Sequence, residues 1–243
     1  MKNLEAVREE KDLLGYAMVP KDALYGIQTQ RALENFSLGG EPLSNFPELV
    51  KALAYVKQAC ALANEELGLI SNEKLQAIVK VTNDIVAGKH HDAFLVEMIQ
   101  GGAGTSTNMN ANEVIANLSL IKMGYVAGQY QHMHPNDDIN LSQSTNDAYP
   151  SAVRLAILQS HHKMVDALTS LRDALLIKSQ EFSGVIKMAR TQLQDAVPMT
   201  LGQEFKAFAS TLTEDIARIG ELSKLLTEVN LGGTAVGTGL NAH

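Results

Sequence analysis

Side chains able to bind an anion without carrying a formal charge are concentrated in three short stretches of this 243-residue chain. They are Gly101-Gly-Ala-Gly-Thr-Ser-Thr-Asn108, Ser142-Gln-Ser-Thr-Asn-Asp147 and Arg190-Thr-Gln-Leu-Gln-Asp195. Each stands just before a predicted helix: one over Asn110 to Met123 that contains Asn112 and Glu113, a long one beginning near Asp147, and one starting at Pro198. Hydroxyl and amide groups beside the unpaired N–H groups of a helix start make an anion site that needs no cation. Three such stretches could surround a small polycarboxylate. A plainer reading exists for each. Ser144 with Asp147 is a capping-box variant, and the glycines at 101, 102 and 104 permit a tight turn. Capping and turn formation are the ordinary uses of such residues. Recurrence favours binding: Thr105, Ser106 and Thr107, then Ser144, Thr145 and Asn146, then Thr191 and Gln192 exceed what caps require.

Sharper motifs are absent. The glycine-rich stretches lack the Gly-Lys-Ser/Thr ending of a phosphate loop and the G-x-G-x-x-G spacing of a dinucleotide fold. Asn136, Asp138 and Asn140 imitate the opening of a calcium loop, but Leu141 replaces its glycine and Asp147 stands where glutamate belongs. His90-His91 and His161-His162 are adjacent pairs, which are expected to diverge on a helix and so not to share a metal. No metal site is assigned. Cys60 falls at a core position of its helix and reads as packing, not as a nucleophile.

The elements that must position these residues are helical. Leu49, Leu53, Val56, Cys60, Ala63 and Leu67 alternate steps of four and three, with Gly68 as a stop. Ser71 is placed to cap a second helix to Val86, with Glu73 in its first turn. Met164, Leu168, Leu171 and Leu175 share a face of a segment running from near Asp147 past Glu181, a helix of roughly 50 Å. Pro198 opens another, carrying Leu201, Phe205, Phe208, Leu212, Ile216 and Ile219 to about Val229. Only short strand pieces near Leu13 to Val19 are suggested. The expected fold is mainly all-α: an N-terminal helical domain over residues 1–140, then part of a long-helix bundle over 141–243. Helices that long bury their remaining apolar faces against other subunits in many bundles. Gly232 to His243 reads as the entrance to further structure.

Composition narrows the class. With 20 Lys+Arg against 27 Asp+Glu, the formal charge of −7 offers no basic face for nucleic acid. No run of about 18 apolar residues could span a membrane. Met1 to Lys11 mixes Lys, Arg and Glu without the apolar core of a secretory signal, and a lone cysteine suits a reducing compartment, so a cytoplasmic location is expected.

The same polar stretches carry a resemblance. Gly101 to Asn117 (GGAGTSTNMNANEVIAN), His134 to Pro150 (HPNDDINLSQSTNDAYP), Arg190 to Pro198 (RTQLQDAVP) and Gly232 to Asn241 (GGTAVGTGLN) resemble the aspartase/fumarase superfamily. Tyr25 to Phe36 (YGIQTQRALENF) fits it too, and the likeness runs from about Asp12 to the end. Ala103-Gly-Thr-Ser106 is similar to the aspartase branch, where fumarate hydratases typically read Ser-Gly-Thr-Gln. Gln192 stands where the hydratases characteristically carry histidine, although aspartases carry either.

The resemblance implies reversible elimination of ammonia from L-aspartate to give fumarate, without an organic cofactor. Activation by a divalent cation is left open. It implies that Thr105, Ser144 and Thr145 hold the β-carboxylate, that Thr191 helps hold the α-carboxylate, and that Asn146 and Gln192 lie near the departing ammonium. His134, Asn136 and Asp137 match a second anion site of the hydratases. It also implies a homotetramer whose catalytic base is a serine on a Gly-Ser-Ser loop beyond residue 243, so the chain is expected to be an N-terminal portion, inactive alone. Fumarate hydratase and a non-catalytic oligomerising member of the superfamily are the alternatives.

Overall fold

The computed structural model describes residues 6–243; the first five residues, part of the Met1 to Lys11 stretch, lie outside the described residues. The chain forms two compact units. One comprises the described residues up to Ala156 together with Val229–His243, the other Ile157–Glu228. The expected mainly helical fold is the one observed.

The first unit opens with an antiparallel hairpin, β1 (Val7–Asp12) and β2 (Gly15–Pro20), in which Val7 pairs with Pro20 and Asp12 with Gly15. The strand pieces foreseen near Leu13 are its turn and second strand. Helix α1 (Ile27–Asn35) follows, and Arg31 binds both carboxylate oxygens of Asp12 at 2.9 and 3.0 Å. Helices α2 (Pro47–Glu66) and α3 (Asn72–Val86) come next. Ser71 caps α3 by accepting from Lys74 N, and Gly68 closes the preceding turn at φ +73°. Leu53, Ile78, Ile85, Ile115 and Leu120 are fully buried where α2, α3 and α4 (Thr105–Lys122) meet.

Helix α4 starts five residues before the expected Asn110. The Thr-Ser-Thr-Asn run, read as a loop, is its first turn, because Gly104 at φ +89° turns the chain directly into the helix. His90 and His91 also depart from the reading. They lie at a short 3-10 turn, with His90 at φ 62° and His91 Nε2 2.8 Å from Ile85 O.

The start of α1 depends on α4. Gly26 offers no side-chain cap, and Glu113 instead accepts from Gly26 N, Gln28 N and Thr29 N at 2.8–3.0 Å. Glu10 takes Ile27 N at 2.8 Å. Two carboxylates thus satisfy the orphan donors of this helix and sit at its positive end. Burial pushes the Glu113 carboxyl above its ordinary value against the pull of these donors. Residue 26 must be glycine: a Cβ there would lie 2.4 Å from Tyr130 Oη and 2.9 Å from Glu113 Cδ.

Helix α5 (Thr145–Glu181) begins in the first unit, where Ala148, Ala152 and Ala156 are buried, and continues into the second. There the chain makes a hairpin of β3 (Ile186–Thr191) and β4 (Gln194–Thr200), then α6 (Leu201–Leu225). This corrects the expected helix start at Pro198. Pro198 lies in β4 opposite Met188, and Thr200 begins the helix with a reciprocal capping box to Gln203. Phe182 and Phe205 pack edge to face at 5.4 Å, and Ser179 Oγ donates to Gly202 O. The rings of His161 and His162 approach to 4.2 Å instead of diverging; flexible side chains a third of a turn apart can lean together. Leu171, Ile177, Leu222 and Leu225 of α5 and α6 are exposed.

Replacing Glu113 by alanine strands three N–H groups at once, those of Gly26 and Thr29 buried and that of Gln28 partly so. A loss of about 3 kcal/mol is expected from unpaired buried donors, together with fast amide exchange at Gly26, Gln28 and Thr29. Hydrogen exchange with thermal unfolding measures both.

Candidate functional site

Two of the three polar stretches meet in the first unit. The third does not belong to that unit. At α4 no side chain caps the helix start, and Thr105 Oγ1 donates 2.7 Å to Gly102 O. Tyr149 of α5 lies against this turn so closely that a Cβ on Gly104 would come within 2.4 Å of its ring. One turn further on, the buried Asn108 donates from Nδ2 to Thr145 Oγ1 at 3.0 Å. That bond ties the start of α5 to α4. An oxygen that accepts there turns its own proton elsewhere, so Thr145 keeps an O–H to donate.

The α5 start is an elaborate cap. Ser144 Oγ accepts from Asn146 N at 3.2 Å, and Asp147 Oδ1 accepts from Ser144 N at 2.9 Å, the capping-box variant read in the sequence. Asp147 is fully buried, and its other oxygen reaches the C-terminal segment, accepting from Gly232 N (3.1 Å) and Thr234 N (2.9 Å). Thr234 sits at φ 54°, a region costly for a β-branched residue by about 1–3 kcal/mol. Asn146 completes the clasp, its Nδ2 donating to Ala235 O at 2.7 Å. Pro150 lies inside α5 and has no N–H for the carbonyl of Asn146 four residues back; Asn230 Nδ2 fills that place at 3.0 Å.

Beneath the same turn lies a residue that pattern reading passed over. Lys57 of α2 is 1% exposed, and its ammonium group reaches Asn108 Oδ1 (2.7 Å), Gln143 Oε1 (2.8 Å) and Asn140 Oδ1 (2.9 Å). Burial draws this amine down to about 7, partly offset by Cys60 and Asp147. Its signal was available. Lys57 stands four residues after Leu53 and four before Ala61, on the buried face of an apolar helix. The neighbouring Cys60 thiol is pushed up to about 11 by burial, which leaves it protonated and inert.

His134 Nδ1 accepts from Asn136 N (3.2 Å) and Asp137 N (3.1 Å), capping a single π-type turn over Pro135–Ile139. Asp138 binds Lys74 and the His134 amide. Thr191 and Gln192 belong to the second unit, exposed at the β3–β4 turn, where Gln192 (φ 52°) and Leu193 (φ 60°) are both left-handed. Among the described residues, no three His, Cys, Asp or Glu side chains are placed to hold a metal ion. Nor is any described helix long and apolar enough to cross a membrane.

Hydroxyl-bearing helix starts set together in a largely helical chain are suited to binding an anion, and the comparisons give the family. The model of a family described as "Lyase" matches residues 15–243, and the chain belongs to that family. It is 59% identical over its whole length to the aspartate ammonia-lyase of Pseudomonas canavaninivorans, of which it spans 51%. It is 51% identical over 236 residues to that of Escherichia coli K12, spanning 49%. The chain therefore spans about half the length of the curated relatives it matches. Among solved structures, fumarate lyase:delta crystallin from Brucella melitensis bound to cobalt aligns over 98% of this chain and 52% of its own, with 56% identity and a TM-score of 0.93. A class II fumarase from Schistosoma mansoni aligns over 98% and 50%, with 38% identity and a TM-score of 0.88. The resemblance to the aspartase/fumarase superfamily read in the sequence holds.

Asp147→Ala should release residues 230–236 from the start of α5. Hydrogen exchange is expected to accelerate at Gly232 and Thr234 while the amides of Ile78 and Ile115 stay protected.

Proposed function

We propose that this chain is the N-terminal portion of an enzyme that reversibly eliminates ammonia from L-aspartate to give fumarate. The difficulty of that reaction is a weakly acidic proton beside a carboxylate. Removing it leaves a dianionic aci-carboxylate, which must be stabilised as its charge develops. Preoriented neutral donors suit the task, since they strengthen with the growing charge and need no rearrangement.

The observation that carries the reading is the bond from Asn108 to Thr145, which brings two hydroxyl-bearing helix starts together in a chain closely similar to aspartate ammonia-lyases. Ser144 and Thr145 hold the β-carboxylate and its aci form, and Thr105 joins them when its hydroxyl turns from Gly102 O to the ligand. Because Asn146 Nδ2 is spent on Ala235 O, its Oδ1 is the atom left to accept from the substrate ammonium. Thr191 adds to the α-carboxylate, and Gln192 orients the leaving group without titrating. A base supplied from outside these residues takes the proton from Cβ; the Cα–N bonding pair leaves with nitrogen as ammonia. The assembled enzyme is a homotetramer of the cytoplasm, and the exposed leucines and isoleucines of α5 and α6 support burial against other subunits. It uses no organic cofactor, and divalent cations act as activators if at all. The 243-residue chain alone is inactive because the serine base lies outside it.

Likeness to the Schistosoma fumarase keeps fumarate hydratase as the second reading. The gene product read to its stop codon, assayed for fumarate with L-aspartate and separately with L-malate, decides between them. Fumarate from aspartate alone is expected, with Ser144→Ala lowering kcat/KM by about 10²–10³, the usual loss for one oxyanion donor. Fumarate from malate alone establishes the hydratase, and turnover by the 243-residue chain disproves its inactivity.

A further inference from the structure

Lys57 is a buried basic group that the proposed reaction does not use. Its three N–H donors meet three amide oxygens, and each of those amides is pinned from its nitrogen side. Asn108 Nδ2 donates to Thr145 Oγ1 and to Asn140 Oδ1. Asn140 Nδ2 donates to Gln143 O at 3.3 Å, and Gln143 Nε2 to Ile139 O and Leu141 O at 2.9 and 3.2 Å. The flips of all three amides are thereby set, and each presents oxygen to the ammonium. If the Lys57 charge is removed, Asn108 loses the partner that holds its Oδ1 inward, and with it the orientation from which Nδ2 reaches Thr145.

Burying an ammonium is costly, and a methionine of similar length would fill the same space without that cost. The position is also pointed. The lysine rises from α2 to the junction of α4, the 139–143 loop and the start of α5, under the turn that carries the Ser144 and Thr145 hydroxyls. We infer that Lys57 is a positioning residue for the substrate carboxylate, acting through Asn108 to hold the Thr145 hydroxyl with its proton free for the ligand. In its protonated form the amine below the helix start adds to the attraction for that carboxylate, and no direct contact with substrate is required.

This rests on the reading that Thr145 binds a carboxylate, and the test separates the two. In the gene product read to its stop codon, Lys57→Met, Asn108→Leu, their combination and Thr145→Val are compared for KM and kcat with L-aspartate, for competitive inhibition by succinate, and for Tm. Thr145→Val should weaken succinate, as should Lys57→Met, by about 10–100-fold for a charge-assisted bond lost. KM should rise more than kcat falls. The double variant should lose no more than the larger single loss, since both changes cut one chain of contacts. A Lys57→Met enzyme with lowered Tm but unchanged succinate inhibition and KM, while Thr145→Val weakens both, overturns the inference and leaves the function standing. Thr145→Val without effect overturns both. Should Lys57→Met fail to fold, Asn108→Leu decides alone: unchanged succinate inhibition rejects the link to Thr145, and weakened inhibition at unchanged Tm supports it.

Discussion

Helix α4 is enclosed by protein along nearly all its length, yet four of its buried residues are asparagines, at 108, 110, 112 and 117. A buried amide without a partner costs a few kcal/mol, so each must find one, and the choice of partner decides where the surrounding chain goes. Asn108 reaches Thr145, and Asn110 the carbonyl of Ala93. Asn112 reaches Asn140, and Asn117 both Leu24 O and the amide of Gly128. Glu113 on the same helix organises α1. Four loops and two other helix starts are thus located by polar demands made from one central rod, and apolar packing fills in around them.

Two buried ionisable groups, Glu113 on this rod and Lys57 reaching it from α2, are treated in opposite ways. Glu113 is met by three backbone donors, so its negative charge is spread over the first turn of α1. Lys57 meets only side-chain amides, which are neutral and hinge about their own bonds. A carboxylate held by backbone makes a rigid joint; an ammonium held by amides makes one whose direction is set by what the amides do next. That difference separates the part of the unit that is framework from the part proposed to handle substrate.

Periodic features were legible in the residues. The helix over Leu49 to Leu67, the Ser71 cap and the long helix through Met164 appear where the spacing put them. The buried face of the first, however, turns away from the predicted seam near its end, where Ala63 and Leu67 are exposed and Ala61 and Asn64 are buried. The start of α4 was not, since Thr-Ser-Thr-Asn is poor helix sequence and Gly104 reads as a loop residue until its neighbours are known. The β3–β4 hairpin was missed for a similar reason. Its turn is Gln192-Leu193, with neither glycine nor asparagine to signal two left-handed residues, and Pro198 stood in a run that suited a helix start. Of the site, the hydroxyl clusters could be read locally. The contacts that tie them together, from Lys57 to Asn108 and from Asp147 to Thr234, span 51 and 87 residues and leave no local pattern.

The proline in the second turn of α5 has a consequence for how the molecule comes into being. The carbonyl that Pro150 leaves unserved is met by Asn230, 84 positions later, and the Asp147 oxygen beside it waits for amides at 232 and 234. Closing so long a loop is entropically expensive before any contact rewards it. During synthesis, then, the rest of α5, the hairpin and α6 must leave the ribosome before the opening of α5 can finish. The polar geometry proposed to serve the chemistry thus waits for residues made 84 to 87 positions after those they complete.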